Sequence, residues 1–410
     1  MSDRVLLLIP TTSYRTSDFM DAAERLGVDV VVGTDRRQAL EPTLPGHTVT
    51  LDLADPERRL DDVVELAEQA PFRAVIGVDD ETTVAAALAA ERLGLPHNPV
   101  AAVLASRDKH SSRMRLAAAG LRTPAFARFS MNDAPRGLAG EVGYPCVLKP
   151  LALSASRGVL RADDADQFVA AFRRIASILD ERDVRRRGGD HGHLLVEGYL
   201  PGAEVALEGL LSDGELRMLA LFDKPDPLEG PTFEETLFVT PSRLEGATVA
   251  AVLAETAAAC RAIGLREGPI HAELRVNDGQ PWLLEVAARA IGGLCSRSLR
   301  FGAGVSLEEL ILRHALGRDV CGLEREKRAS GVLMLPIPRS GRLRGVSGID
   351  DARAVEGIRE ITITMRAGAR LVPLPEGHRY LGFVFAVADS PAEVEAALRR
   401  AQSRLVVEID

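Results

Sequence analysis

Lysine is nearly missing from a chain that carries 50 basic residues: only Lys109, Lys149, Lys224 and Lys327 occur, and arginine supplies the rest. A compact ammonium and a planar guanidinium are not interchangeable at a tight site, so each surviving lysine is a candidate for a specific task. Lys327, inside the charged run Glu324–Arg328, reads as surface; Lys109 and Lys149 do not. Cysteine is scarce as well. Cys146, Cys260, Cys295 and Cys321 are scattered without a CxxC pair, which argues against a zinc site or a disulfide framework. Cys295 has no adjacent base and is read as packing, not as a nucleophile. No apolar run approaches the roughly 18–20 residues that span a bilayer. The run Val5–Ile9 meets Pro10 too soon to be a signal-peptide core. We therefore expect a soluble, cytoplasmic protein without a membrane partner. A net charge of −9 and no basic stripe argue against nucleic acid. The first strand lacks a following GxGxxG, and GxxxxGK[ST] is absent, which disfavours a dinucleotide fingerprint and excludes a Walker A loop.

What is present is alternation. Val5–Ile9, Val28–Val32 and Ala74–Val78 are short β-branched runs separated by helical patterns near residues 18–26 and 56–69, with another at 82–93. Such a β-α-β-α-β-α order predicts a parallel sheet covered by helices. Pro96 and Pro99 mark a boundary, and a helix over 100–119 follows. Next come a strand near 145–150, a Ser/Gly loop, a helix near 164–179 and a polar loop over 180–193. Strand-rich sequence covers 194–221, and a connection with four prolines covers 222–242. Ser306 with Glu309, and Ser390 with Glu393, predict capped helix starts. The length favours several domains. We divide it into a Rossmann-like unit at 1–105, a central unit at 106–318 with a lid at about 124–200, and an α+β lobe at 319–410.

Three segments can carry chemistry. Ile270–Val276 and Trp282–Val286 flank the hairpin signal Asn277-Asp278-Gly279. A two-residue turn would send Glu273 and Glu285 to opposite faces. A three-residue loop pairs Val276 with Gln280 and puts Glu273, Glu285 and His271 on one face, the carboxylates being diagonal neighbours ~7–8 Å apart at the backbone. Such a pair can share a hard divalent cation; the alternative is a solvated face whose charges pair with Arg275 or Arg289. Lys149 leaves a buried strand into the loop Leu151–Gly158, which suits a flap over phosphates: N–H groups and the hydroxyls of Ser154 and Ser156 can approach anionic oxygens. The third segment is Val196–Glu204. By itself it reads as an edge strand and turn.

In this order and spacing the segments resemble the ATP-grasp superfamily, and most of all the L-amino-acid ligases, its dipeptide-forming members. The resemblance spans essentially the whole chain. It implies an ATP-grasp fold, α/β and α+β, with an N-terminal Rossmann-like (pre-ATP-grasp) domain and a C-terminal α+β lobe. It also implies an ATP-dependent carboxylate–amine ligase that forms an amide or peptide bond through an acyl phosphate, with ATP and Mg²⁺ (or Mn²⁺). Lys109 and Lys149 match its phosphate-binding lysines, and Ser154, Ser156 and Gly158 its flap. Glu197, Tyr199 and Leu200 match the adenine-reading hinge, and Glu204 the ribose ligand. Glu273 and Glu285 match the metal-bridging glutamates. Arg289 resembles the arginine that steadies the transferring phosphoryl group or the substrate carboxylate, with Gly293 and Gly292 as oxyanion donors. His271, Gly292, Arg297, Tyr14 and Arg15 are candidate substrate residues. His271 is expected to support Glu285, and Glu234 and Glu235 are weighed as ammonium ligands. Many relatives place Asn where this chain has Ala287, a departure in the metal ligands. The expected partners are a small-molecule carboxylate and an amine, with a homodimer as the assembly. Competing readings are a purine-pathway or carboxylase-type ATP-grasp enzyme and a non-catalytic nucleotide-binding regulatory protein.

Overall fold

A computed structural model describes residues 3–36, 47–186 and 188–410. Four short strands, β1 (Arg4–Leu8), β2 (Asp29–Thr34), β3 (Thr48–Thr50) and β4 (Ala74–Gly77), form a parallel sheet in the order β3-β2-β1-β4. Its central strand is buried along Val5–Leu8, as a parallel strand covered on both faces requires. The segment expected as a lid holds a second sheet: β5 (Phe126–Ser130), β6 (Cys146–Pro150), β7 (Leu160–Ala162) and β8 (His193–Gly198), ordered β5-β8-β6-β7. The amphipathic helix Ala165–Leu179 buries Phe168, Phe172 and Ile175 against it.

The remaining strands are β9 (Ala203–Ser212), β10 (Glu215–Lys224), β11 (Leu237–Thr240), β12 (Gly268–Asn277), β13 (Gln280–Ala287), β14 (Ala329–Leu335), β15 (Gly341–Ser347), β16 (Ile358–Ile363), β17 (Arg370–Leu371), β18 (Gly382–Ala388) and β19 (Val406–Ile409). Eight of them build one large sheet, β13-β12-β9-β10-β11-β14-β18-β16. The strands β14, β16 and β18 of the C-terminal lobe thus extend the central sheet, and β15, β17 and β19 make a small sheet beside it. Strand β11 lies inside the proline-containing connection, where the sequence pattern shows no strand. Its four residues are all buried, so it presents no period-two alternation.

One helix, Gly246–Ile263, meets the length and hydropathy of a membrane span, with a mean hydropathy of 1.3, contrary to the expectation that no run approaches that length. Val252, Ala259, Cys260 and Ile263 on it pack against Ile270, Ala272 and Leu274 of β12. The helix expected over 100–119 is two helices, Val100–Arg107 and Lys109–Ala118. The break falls at Asp108, whose extended backbone and side chain cap the second helix by accepting the Ser111 N–H at 2.7 Å. That break sets Lys109 at the first position of the second helix. The Ser390–Glu393 capping box forms in full, whereas Glu309 turns its carboxylate to Arg25 and Arg313.

Candidate active site

The β12–β13 hairpin places the two glutamates by a route the sequence does not reveal. Its turn is the two-residue kind: Asn277 pairs with Gln280 around Asp278 and Gly279, both at positive φ. The three-residue loop expected from the sequence does not form. A bulge at Leu284 restores the register instead. Leu274 pairs with Leu283, and Glu273 pairs directly with Glu285. Leu283 and Val286 therefore face the core, while Leu284 and Glu285 both line the cavity. Buried Arg113 satisfies the carbonyls exposed by the bulge, donating to Leu283 O at 3.0 Å and Leu284 O at 2.8 Å. Glu273 and Glu285 are directly opposed cross-strand neighbours, closer than the expected diagonal pair.

The cavity holds about 500 Å³ between the N-terminal sheet, the lid and the central sheet. Each opposed glutamate meets an ammonium: Glu285 lies 3.2 Å from Lys109 Nζ, and Glu273 lies 3.3 Å from Lys224 Nζ. Lys224 is the residue the sequence reading passed over. Register carries it there, because Lys224 pairs with Glu204 across β10–β9, and Glu204 with Arg275 across β9–β12. Its ammonium donates to Glu204 at 2.9 Å and to Glu235. Burial would depress its pKa, but Glu204, Glu235 and Glu273 outweigh that and raise it well above the usual lysine range. Burial also pushes Glu235 upward, reinforced by the charge of Glu273. Glu273 itself is held well below the carboxylate range, because Lys224 and His271 overcome its burial. The usable signal was the scarcity of lysine.

His271 serves other partners than the expected Glu285. Its Nδ1 meets Glu208, its Cα partner on β9, and its Nε2 lies 3.4 Å from Glu273. Burial lowers its pKa, yet these carboxylates raise it to about 9, so the ring is an imidazolium at neutral pH and not a base. Arg289 donates to Asp80 at 2.7 Å, from the helix that follows β4. Asp80 keeps its charge despite burial because Arg289, Arg107 and Lys109 surround it.

Lys149 reaches Glu197 at 2.5 Å, and Arg113 holds the other oxygen of that carboxylate. Burial alone would raise the pKa of Glu197, but Arg113 and Lys149 hold it at about 2. The side chain of Glu197 is thus engaged within the protein, while Tyr199 and Leu200, also expected at the hinge, line the cavity and are fixed by Arg275 through Tyr199 Oη at 3.0 Å and Leu200 O at 2.9 Å. Because its pKa is depressed, Glu197 contributes stability that is complete above about pH 4.5 and lost as pH falls through about 2. Urea unfolding from pH 5 to 2 should show that Glu197→Gln is markedly destabilising at pH 5. The gap between the two proteins should narrow as the parent protonates; a constant gap would remove the assignment.

In the flap, Ser154 and Ser156 line the cavity, and Ala155 and Ser156 adopt left-handed φ values of 55° and 53°. Leu153 O accepts from Lys109 Nζ at 2.8 Å. Gly158 is placed differently: its N–H donates to Pro375 O at 2.9 Å, tying the flap to the C-terminal lobe. Gly292, Gly293 and Tyr14 line the cavity. Gly293 has φ +62°, and an added Cβ would lie 2.9 Å from the Phe383 ring, so this turn requires glycine. Arg15 and Arg297 lie outside the lining. Arg15 is buried against Glu308 at 3.0 Å, and Arg297 bridges Asp18 at 2.9 Å and Glu360 at 2.5 Å. Both are ties between elements. Cys295 lies in the lining but is buried, and burial drives its thiol pKa upward, which keeps it protonated.

Three family models match this chain: an ATP-grasp N-terminal domain at 20–97, an ATP-grasp domain at 142–298 and an L-amino acid ligase C-terminal domain at 333–410. The chain belongs to the ATP-grasp superfamily and is a ligase of that fold. Within it, the chain is similar to an L-amino acid ligase from Bacillus licheniformis, whose crystal structure it matches with a TM-score of 0.85 at 28% identity, over all of this chain and 99% of that one. It is 26% identical to alanine–anticapsin ligase of Bacillus subtilis over 269 residues, 62% of this chain and 56% of that protein, just over half its length. The N5-carboxyaminoimidazole ribonucleotide synthetase of Thermotoga maritima matches over the whole chain with a TM-score of 0.70 at 14% identity, a likeness of fold alone.

Proposed function

We propose that this protein joins the carboxylate of one amino acid to the amine of another, using ATP and passing through an acyl phosphate. The observation that carries the reading is Glu273 directly opposite Glu285 on the floor of a cavity that also contains Lys109 and Lys149. Two opposed carboxylates form an oxygen-only donor set, which fits Mg²⁺ better than softer ions. Glu273 and Glu285 would hold the metal, which would neutralise charge on the phosphate oxygens. Ala287 supplies no ligand, so further oxygens must come from water or phosphate.

The chain's own groups account for the rest. Lys109 and Lys149 receive the phosphates. The donor carboxylate attacks the γ-phosphorus, ADP leaves, and the acyl phosphate forms. The amine then adds to the acyl carbon, phosphate departs with the bonding pair, and the ammonium proton is lost. Arg289, oriented by Asp80, and the N–H groups of Gly292 and Gly293 would serve as donors to the oxyanion. The flap excludes water from an intermediate that hydrolyses readily. Nine carboxylates against five lysines and arginines line the cavity, which favours substrates bearing ammonium groups over bicarbonate or phosphoribosyl compounds.

Phosphate release from Mg-ATP should require two amino acids. Hydroxylamine in place of the second should trap the first as its hydroxamate. Release driven by bicarbonate or formate alone, or none with any amino acid pair, would overturn this reading.

A further inference from the structure

In the amide-forming step only one substrate keeps a free carboxylate. The donor's carboxylate is converted to the acyl phosphate, while the acceptor's is a spectator anion that remains charged throughout. A site that selects amino acids as acceptors therefore needs a cation that neither the nucleotide nor a protein carboxylate already neutralises. Among the described residues, the lysines and arginines of the cavity can be sorted by that criterion. Lys109 is held by Glu285, Lys149 by Glu197, Arg275 by Glu204 and Arg289 by Asp80. Arg379 stands apart. It lines the cavity at its exposed rim, on the segment that leads into β18, and its described contact is with the Tyr14 ring, its guanidinium carbon 6.0 Å from the centroid.

Tyr14 supplies the second observation. It enters from the loop after β1, its ring meets Phe383 edge-on at 5.5 Å, and its hydroxyl is buried without a hydrogen-bond partner. A buried phenol left unpaired at the wall of a polar cavity is costly unless a ligand completes it. Phe383 also packs beneath Gly293, so this corner adjoins the glycine pair assigned to the oxyanion. Tyr380, in the same aromatic cluster at 6.3 Å from Phe383, has its phenol pKa raised by burial first and then by the nearby charges of Glu235 and Glu234. One corner of the cavity thus combines a cation free of ion pairs, an unpaired hydroxyl and nearby carboxylates.

We propose that Arg379 and Tyr14 form the receptor for the acceptor's carboxylate: the guanidinium takes the two oxygens as a fork, and the Tyr14 hydroxyl donates to one of them. The site joins the N-terminal domain to the C-terminal lobe, so an acceptor amino acid would bridge the two. This inference rests on the proposed ligase reading and adds the determinant that makes an amino acid, and not a simple amine, the second substrate.

The test begins with phosphate release by the full-length protein, Mg-ATP and a panel of amino acid pairs. The pair with the highest rate is then assayed with its acceptor as the free acid and as the carboxamide. The unsubstituted protein should prefer the acid. In Arg379→Ala, KM for the acid should rise about 10- to 100-fold, the loss expected for a charge-assisted pair, while KM for the carboxamide, for the donor and for ATP stays within about twofold. The acid-to-amide preference should fall accordingly, and Tyr14→Phe should erode it by a smaller factor. Arg379→Lys should restore part of it, which a purely structural role would not do. An unchanged acid-to-amide ratio in Arg379→Ala would overturn the receptor while leaving the ligase reading intact. A parent without preference for the acid would do the same. Failure of every pair to release phosphate would overturn both.

Discussion

Glu285→Gln is expected to lower turnover by about 10³-fold or more, the scale on which a single preorganised electrostatic partner of a transition state is felt, while the variant folds as the parent does. The substitution keeps the shape of the side chain and removes only its charge. Glu285 is about one-third exposed, and its described ionic partner is Lys109 at 3.2 Å, to which a glutamine oxygen can still accept. The bulge at Leu284 and its Arg113 support use backbone carbonyls and remain as they are. What disappears is one of the two opposed carboxylates of β12 and β13 proposed to hold the metal. Near-parental unfolding by circular dichroism, with phosphate release at background, is the expected pair of results. Full activity would remove the metal assignment, and a collapsed fold would show that Glu285 is structural.

That hairpin also shows how far the sequence could be read. The residue types and their spacing announced a carboxylate pair, but the two-residue turn by itself implied the wrong face for one of them. The bulge that reverses this is an insertion of one leucine. Leucine carries no bulge signature, and its stabiliser, Arg113, lies on a helix 170 residues away in sequence. Local patterns with a steric or hydrogen-bonding cause were legible: the buried strands of the first sheet, the Ser390 cap and the loop after Lys149. The break at Asp108 was legible in principle, since Asp108 and Ser111 have the spacing of an N-cap, but no glycine or proline falls between Val100 and Ala119 and the stretch reads as one helix. Ion-pair choice was not legible at all. Arg15 and Arg297 resemble substrate ligands in sequence, and only the tertiary structure shows Glu308, Asp18 and Glu360 consuming them. The C-terminal strands show as apolar runs in the sequence, but their joining the central sheet does not, because β11 and β14 pair across more than 80 residues of intervening chain.

Lys224→Met should carry the larger cost in stability, about 3–5 kcal/mol, as expected when one partner of a buried ionic cluster is removed. Methionine matches the length of the alkyl stem and keeps contact with Phe238, over which the ammonium sits at 5.0 Å, so the loss is electrostatic. Left behind are Glu204, Glu235 and Glu273, whose oxygens all lie within 4.8 Å of one another. Three carboxylates so close cannot all remain charged without a cation. Two consequences separate this account from simple loss of packing. Glu235, already raised in pKa with Lys224 present, should take up a proton, so the deficit relative to the parent should shrink as pH is lowered from 8 towards 5. Millimolar Mn²⁺ or Ca²⁺ should raise the Tm of the variant more than that of the parent, because a divalent ion can occupy the place vacated by the ammonium. A deficit independent of pH and unmoved by either ion would overturn this electrostatic account of Lys224 and would mean that the charge network beneath Glu273 does not set the state of the face proposed to hold the metal.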